Sequence, residues 1–126
     1  MEKIAVIGLG TMGGMLVRGL LNAGVVSSSH LFPTTRTERN TLELGERYGL
    51  QVGTDNVQAA RSADIIILAV KPSKVAGVLK EEGMSGALQG KILVSIAAGV
   101  CLRDMAEILP SVKIARAMPN TPGIIG

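Results

Sequence analysis

The run Asp64-Ile65-Ile66-Ile67-Leu68-Ala69-Val70 narrows the fold more than any other part of the chain. Side chains of a strand alternate between the two faces of a sheet, so a strand with one wet face alternates apolar and polar residues. Here both parities are apolar, which predicts a central parallel strand covered by helices on both sides. Its surroundings agree. Lys3–Ile7, Lys91–Ile96 and Val112–Ala117 read as further strands, with His30-Leu31-Phe32 a weaker second strand and Leu50-Gln51-Val52 a short one. Between them, Thr11–Ala23 carries an apolar stripe at Met12, Met15, Leu16, Leu20 and Leu21, closed by Gly24. Thr37–Tyr48 reads as a charged, exposed helix stopped at Gly49. Shorter helices are expected from about Asp55 to Ser62, from Ser73 to Glu82 after Pro72, and from Leu102 to Leu109 before Pro110. Strands alternating with helices predict an α/β fold of Rossmann type. It is a doubly wound parallel sheet with right-handed crossovers, forming a single domain over residues 1–126.

Composition excludes several function classes. Phe32 and Tyr48 are the only aromatics, so the core must be built from aliphatic residues, alanine and methionine, and the methionines are read as core packing. The net charge of +3 is mild, and its lysines and arginines are neither clustered nor interleaved with stacking aromatics. No nucleic-acid partner is expected; a small anionic ligand accounts for the excess. A single cysteine, Cys101, excludes an internal disulfide and a cysteine-cluster metal site, fits a reducing cytoplasm, and reads as a small residue at a helix start. No metal is expected. No apolar stretch reaches the length of roughly 20 residues that a membrane helix needs, and no targeting segment is visible, so neither a membrane partner nor export is expected.

Ligands of doubly wound sheets bind beyond the carboxyl ends of the strands, and the distinctive residues fall there. Gly8-Leu9-Gly10-Thr11-Met12-Gly13 follows the first strand and opens the first helix. Gly8 can take a tight-turn conformation, Gly10 has no Cβ to obstruct a phosphate, and Gly13 lets the helix pack closely on the strand. The helix N-terminus then offers free N–H groups to a pyrophosphate. The alternative is an ordinary strand–helix turn. A site preferring NAD carries an acid at the end of the second strand, yet Asp and Glu are absent between Glu2 and Glu38. Thr34, Thr35 and Arg36 stand there instead, two hydroxyls and a guanidinium suited to a 2′-phosphate, which points to NADP(H). Alternatively, Thr35 or Thr37 caps the next helix and Arg36 is solvated.

Three more strand ends carry unusual residues: Ala69-Val70-Lys71-Pro72, Ser95-Ile96-Ala97-Ala98-Gly99-Val100 and Met118-Pro119-Asn120-Thr121-Pro122. With the glycine turn, this order resembles the N-terminal domain of the pyrroline-5-carboxylate reductase family along essentially the whole chain. The resemblance implies NADP(H)-dependent hydride transfer to a cyclic imine carboxylate, giving L-proline. It implies that Ala69, Val70, Lys71 and Pro72 flank the nicotinamide riboside, and that Ala97, Ala98 and Gly99 face the nicotinamide ring. Met118, Pro119 and Asn120 would border the reacting centre, and Asn56 would lie near the adenosine. Plainer readings stand beside these: Lys71 as a loop lysine rather than a proton donor, Ala97–Gly99 as a tight corner, Asn120 as a turn cap. His30 reads as a surface strand residue with no catalytic partner.

No side chain is expected to act as a catalytic acid or base, because the imine nitrogen can be protonated beforehand and the cofactor carries the hydride. Members of the resembling family continue past Gly126 into a helical domain that forms the dimer and helps hold the substrate. That domain is absent from this sequence, so the chain is expected to bind NADPH weakly without turnover and to expose an apolar face. Two other functions remain open. A β-hydroxyacid dehydrogenase also opens with Gly-Leu-Gly-x-Met-Gly, although Met118–Pro122 argues against it. A non-catalytic NADP(H)-sensing module would bind both redox forms without transferring hydride.

Overall fold

In the computed structural model, residues 3–8, 11–24, 26–35, 45–46, 49, 52–96, 102–109 and 112–116 are described. They contain strands β1 (Ile4–Ile7), β2 (Leu31–Thr34), β3 (Ile65–Leu68), β4 (Ile92–Ser95) and β5 (Lys113–Arg116). The helices are α1 (Thr11–Asn22), α2 (Asn56–Ser62), α3 (Pro72–Leu79), α4 (Met84–Ala87) and α5 (Leu102–Ile108). The strands form one parallel sheet ordered β2-β1-β3-β4-β5. The order reverses between β1 and β3, the switch expected of a doubly wound fold.

Alternation along the strands builds two cores. Ala5 and Ile7 of β1, Ile66 and Leu68 of β3 and Leu93 of β4 face one side. There they meet Ala59 and Ala60 of α2, Val75 and Leu79 of α3, Met84 and Leu88 around α4, and Met105 and Leu109 around α5. Ile4 and Val6 face the other side, with Val17 of α1, Val26 and Leu31. The isoleucine run of β3 divides between them: Ile66 and Leu68 are fully buried, while Ile65 and Ile67 are half-buried beside α1. Ile92, level with Ile65 on β4, is 44% exposed, the exposed large hydrophobic among the described residues.

Several expectations need correction. β2 begins at Leu31 and runs through Pro33 to Thr34, whereas the sequence suggested a strand of His30 to Phe32. Proline is tolerated because its position faces outward: the Pro33 carbonyl accepts from Gly53 N–H at 3.0 Å, on the side away from β1. The missing N–H therefore removes no bond from the β1–β2 ladder. His30 closes a 3₁₀ turn, Ser28–His30, instead of entering the strand. Its Nδ1 lies 2.8 Å from Ser27 Oγ and 3.1 Å from Ser29 Oγ, at the amino end of β2. Of the expected strand at residues 50–52, Val52 is not in a strand and the other two lie outside the described residues. Among the described residues, one parallel bridge, Thr34 to Gly53, lies on the outer side of β2. The helix expected to reach Glu82 stops at Leu79, and α4 follows after Gly83. Gly83 and Gly86 masked that helix in the sequence, yet Met84 and Leu88 are fully buried. Gly45 and Glu46 are helical, as expected; most of the 37–48 segment lies outside the described residues. No helix among the described residues is long and apolar enough to cross a membrane.

Candidate functional site

The pairing register sets Thr34, Ile7, Leu68, Ser95 and Arg116 in one row across the sheet. Each is the last residue of its strand, so the five segments singled out in the sequence all leave the sheet from the same edge. Ala69 N–H donates to the Ile7 carbonyl at 2.8 Å and Ile96 N–H to the Leu68 carbonyl at 3.1 Å, which carries the pairing one step past β3 and β4.

The glycine turn is where sequence and packing coincide most closely. Gly8 has φ +97°, a conformation that L side chains rarely adopt. A Cβ there would also lie 2.5 Å from Val70 Cγ1 and 2.9 Å from the Val70 backbone nitrogen. Gly13, buried in the first turns of α1, faces the Gly8 carbonyl so closely that a Cβ would overlap its oxygen and stand 3.2 Å from its carbon. The helix start is thus seated on the strand end at backbone distance, and the β3 segment Ala69-Val70 closes the corner from the other side of the switch. No side chain at positions 8 or 13 stands between the strand end and the helix N-terminus. The close packing that a Cβ would disrupt brings the N-terminus of α1 to the end of β1, an arrangement that fits a diphosphate held by backbone N–H groups. Thr11 and Met12 lie in α1; Leu9 and Gly10 are outside the described residues.

At the carboxyl end of β2, Thr34, expected with Thr35 and Arg36 to hold a 2′-phosphate, enters a side-chain relay. Thr34 is 1% exposed. Its hydroxyl donates to Asn56 Oδ1 at 2.7 Å, and Asn56 Nδ2 donates to Glu81 Oε2 at 2.9 Å. A carboxylate can only accept, so Glu81 fixes which way the Asn56 amide points, and the amide oxygen then requires the Thr34 hydroxyl to donate. The single Thr34 proton is therefore engaged by Asn56. Thr35 is half-buried, with its N–H bonded to the Gly53 carbonyl at 2.9 Å. Arg36 lies outside the described residues. Beside the relay, Asp55 caps α2 by accepting from Gln58 N–H at 3.1 Å.

Lys71 is exposed and precedes α3, with Pro72 as the first helical residue, where its lack of an N–H removes no helical bond. This favours the plain reading of Lys71 as a loop residue whose backbone starts a helix. Ala97, Ala98, Gly99, Met118, Pro119 and Asn120 lie outside the described residues, although the strands leading to them end at the same edge. Sequence reasoning missed one contributor, Glu81 as the partner of Asn56, while Val70, singled out for another role, also stands as the wall behind Gly8. Nothing in the sequence marks Glu81, which reaches Asn56 across 25 positions.

Comparison with known proteins follows this geometry. The chain is 40% identical over 131 aligned residues to a pyrroline-5-carboxylate reductase of Corynebacterium melassecola, covering 100% of this chain and 47% of that protein. The pyrroline-5-carboxylate reductase of Escherichia coli K12 is 37% identical over 125 residues, with 98% and 46% covered. Among solved structures, a Plasmodium falciparum pyrroline carboxylate reductase with NADP bound superposes with a TM-score of 0.82 at 33% identity, over 98% of this chain and 44% of that one. A Coxiella burnetii pyrroline-5-carboxylate reductase gives 0.86 at 31% identity, over 98% and 46%. The chain thus spans about half the length of the curated relatives it matches. Residues 3–99 match the family described as NADP oxidoreductase, coenzyme F420-dependent, and the chain belongs to that family.

Proposed function

We propose that this chain is the dinucleotide-holding part of an NADP(H)-dependent reductase that converts 1-pyrroline-5-carboxylate, a cyclic imine carboxylate, to L-proline in the cytoplasm, the full-length protein working as a homo-oligomer. The carrying observation is the close seat of Gly13 on the Gly8 carbonyl, which brings the start of α1 against the end of β1 at the sheet's switch point. Similarity to pyrroline-5-carboxylate reductases at 36–40% identity over 99–100% of the chain favours the imine over an alcohol substrate.

When bound, the cofactor supplies the hydride. The residues of this chain orient and shield. Gly8, Leu9, Gly10, Thr11, Met12 and Gly13 hold the diphosphate, and Ala69, Val70, Lys71 and Pro72 flank the nicotinamide riboside. Ala97, Ala98 and Gly99 present a small-residue surface to the nicotinamide ring, with Met118, Pro119 and Asn120 at the reacting centre. Asn56 lies at the adenosine end. Because Thr34 donates to Asn56, the 2′-phosphate falls to Thr35 and Arg36, with Thr34 holding the corner in place.

Titrating NADPH and NADH against the chain and its Arg36→Ala variant tests this reading. A guanidinium–phosphate pair is worth roughly 1.5–3 kcal/mol, so the variant should lose about 10- to 100-fold in NADPH affinity and little for NADH. Retention of the parent's NADPH preference would reject Arg36 as the phosphate ligand. Failure of both dinucleotides to bind the parent would reject the proposal.

A further inference from the structure

We propose that Glu81 is a specificity-determining residue at the adenosine end of the site, one that lowers the discrimination between 2′-phosphorylated and unphosphorylated adenosine. This rests on the dinucleotide reading given above. In doubly wound sheets the end of the second strand is the place where the ribose is recognised, ordinarily by an acid carried on that strand. β2 ends instead in Thr34, with no acid between Glu2 and Glu38. A carboxylate nonetheless arrives at the same corner by another route. Glu81, in the turn between α3 and α4, bonds Asn56 Nδ2 at 2.9 Å, and Asn56 in turn holds the Thr34 hydroxyl at 2.7 Å. One amide group separates the carboxylate from the strand end.

Two consequences follow from that arrangement. The amide of Asn56 cannot flip while Glu81 is ionised, because its oxygen would then face a carboxylate. Asn56 therefore gives one N–H of its Nδ2 to Glu81, and the same nitrogen carries a second N–H, the kind of donor that suits a ribose oxygen. The negative charge behind it opposes a 2′-phosphate, which carries between one and two negative charges at neutral pH, but leaves a 2′-hydroxyl undisturbed. Glu81 thus weakens whatever preference the strand end has for the phosphate, so both dinucleotide forms are admitted. Asp55 also lies at this corner, but its carboxylate is turned to the Gln58 N–H and takes no part in the relay.

The test uses adenosine 2′,5′-bisphosphate and 5′-AMP as probes, titrated into the whole chain by NMR with the Asn56 side-chain amide as reporter. Glu81→Gln keeps an acceptor for Asn56 but removes the charge. The ratio of bisphosphate to AMP affinity should rise roughly three- to tenfold at about 0.05 M salt, and the gain should shrink at about 1 M, where screening is strong. Glu81→Ala should change the ratio in the same direction, which covers the case of an unstable glutamine variant. A ratio within twofold of the parent's, or a rise that persists at high salt, overturns the assignment of Glu81 while leaving the dinucleotide reading intact. A parent chain that binds neither probe ends both.

Discussion

Replacing Gly13 by alanine opposes two effects that are usually kept apart. In an exposed helix interior the change gains about 1 kcal/mol, because alanine loses less backbone freedom on folding. At position 13 the new methyl would overlap the Gly8 carbonyl oxygen and stand 3.2 Å from its carbon, with Ala69 Cβ at 3.5 Å. The first two are backbone atoms of a turn held at φ +97° with Val70 packed behind it, so they have little room to yield. Relief requires α1 to lift from the strand end, an overpacking cost of about 1–3 kcal/mol beyond the propensity gain. The net expectation is a loss of about 1–3 kcal/mol and a fall in Tm of roughly 4–15 °C for a domain of this size. Gly77 in α3 is the internal reference: nothing lies within 4 Å of its added Cβ, so Gly77→Ala should gain about 0.5–1 kcal/mol. Urea and thermal denaturation of the two variants, with an NADPH titration of each, separate the contributions. Gly77→Ala should bind NADPH like the parent, and Gly13→Ala should bind markedly less. A Gly13→Ala protein that melts at or above the parent, with unchanged NADPH affinity, would refute the argument that backbone proximity builds this corner.

Two further outcomes concern α2. Asp55→Ala removes the cap that accepts from Gln58 N–H and should cost about 1 kcal/mol, read as a shift in the urea midpoint without a change in slope. Lys91 Nζ donates to the last carbonyls of the same helix, Ala60 at 2.6 Å and Arg61 at 2.7 Å. Desolvation lowers its pKa from the ordinary 10.5, opposed by the nearby Asp64 carboxylate. With the folded value below the unfolded one, the unfolded chain binds more protons in the window between them. Stability should therefore rise with pH from the lowered value up to 10.5. Lys91→Met should be about 1 kcal/mol less stable at neutral pH, through loss of the two carbonyl contacts, and should lack that alkaline rise. A variant whose pH profile parallels the parent's across that window would show that the rise has another source.

The sequence made the architecture legible where the signal was local and repeated. Apolar residues at both parities of Ile65–Leu68 required a strand covered on two sides, and that strand sits at the middle of the sheet. In the glycine turn, Gly8 and Gly13 each answer a steric demand that only their type meets. Legibility failed where neighbours decide the outcome. Pro33 reads as a strand terminator until the side on which its nitrogen falls is known. α4 is too short and too rich in glycine to show a period, and only burial of Met84 and Leu88 reveals it. The hydroxyl of Thr34 reads as a free donor, since the partner that claims it lies 22 positions away. Glu81 carries no local signal, because its partner Asn56 lies 25 positions away.

Pro33 has a consequence for how such molecules behave when crowded. A border strand of a parallel sheet is a template on which a second chain can lay down another strand, and that is how many soluble proteins begin to polymerise. Along this border the incoming strand would meet a pyrrolidine ring where it needs a donor, and just beyond it a position already occupied by Gly53. Too few consecutive rungs are left for a foreign strand to hold, so self-assembly by sheet extension is discouraged on this flank.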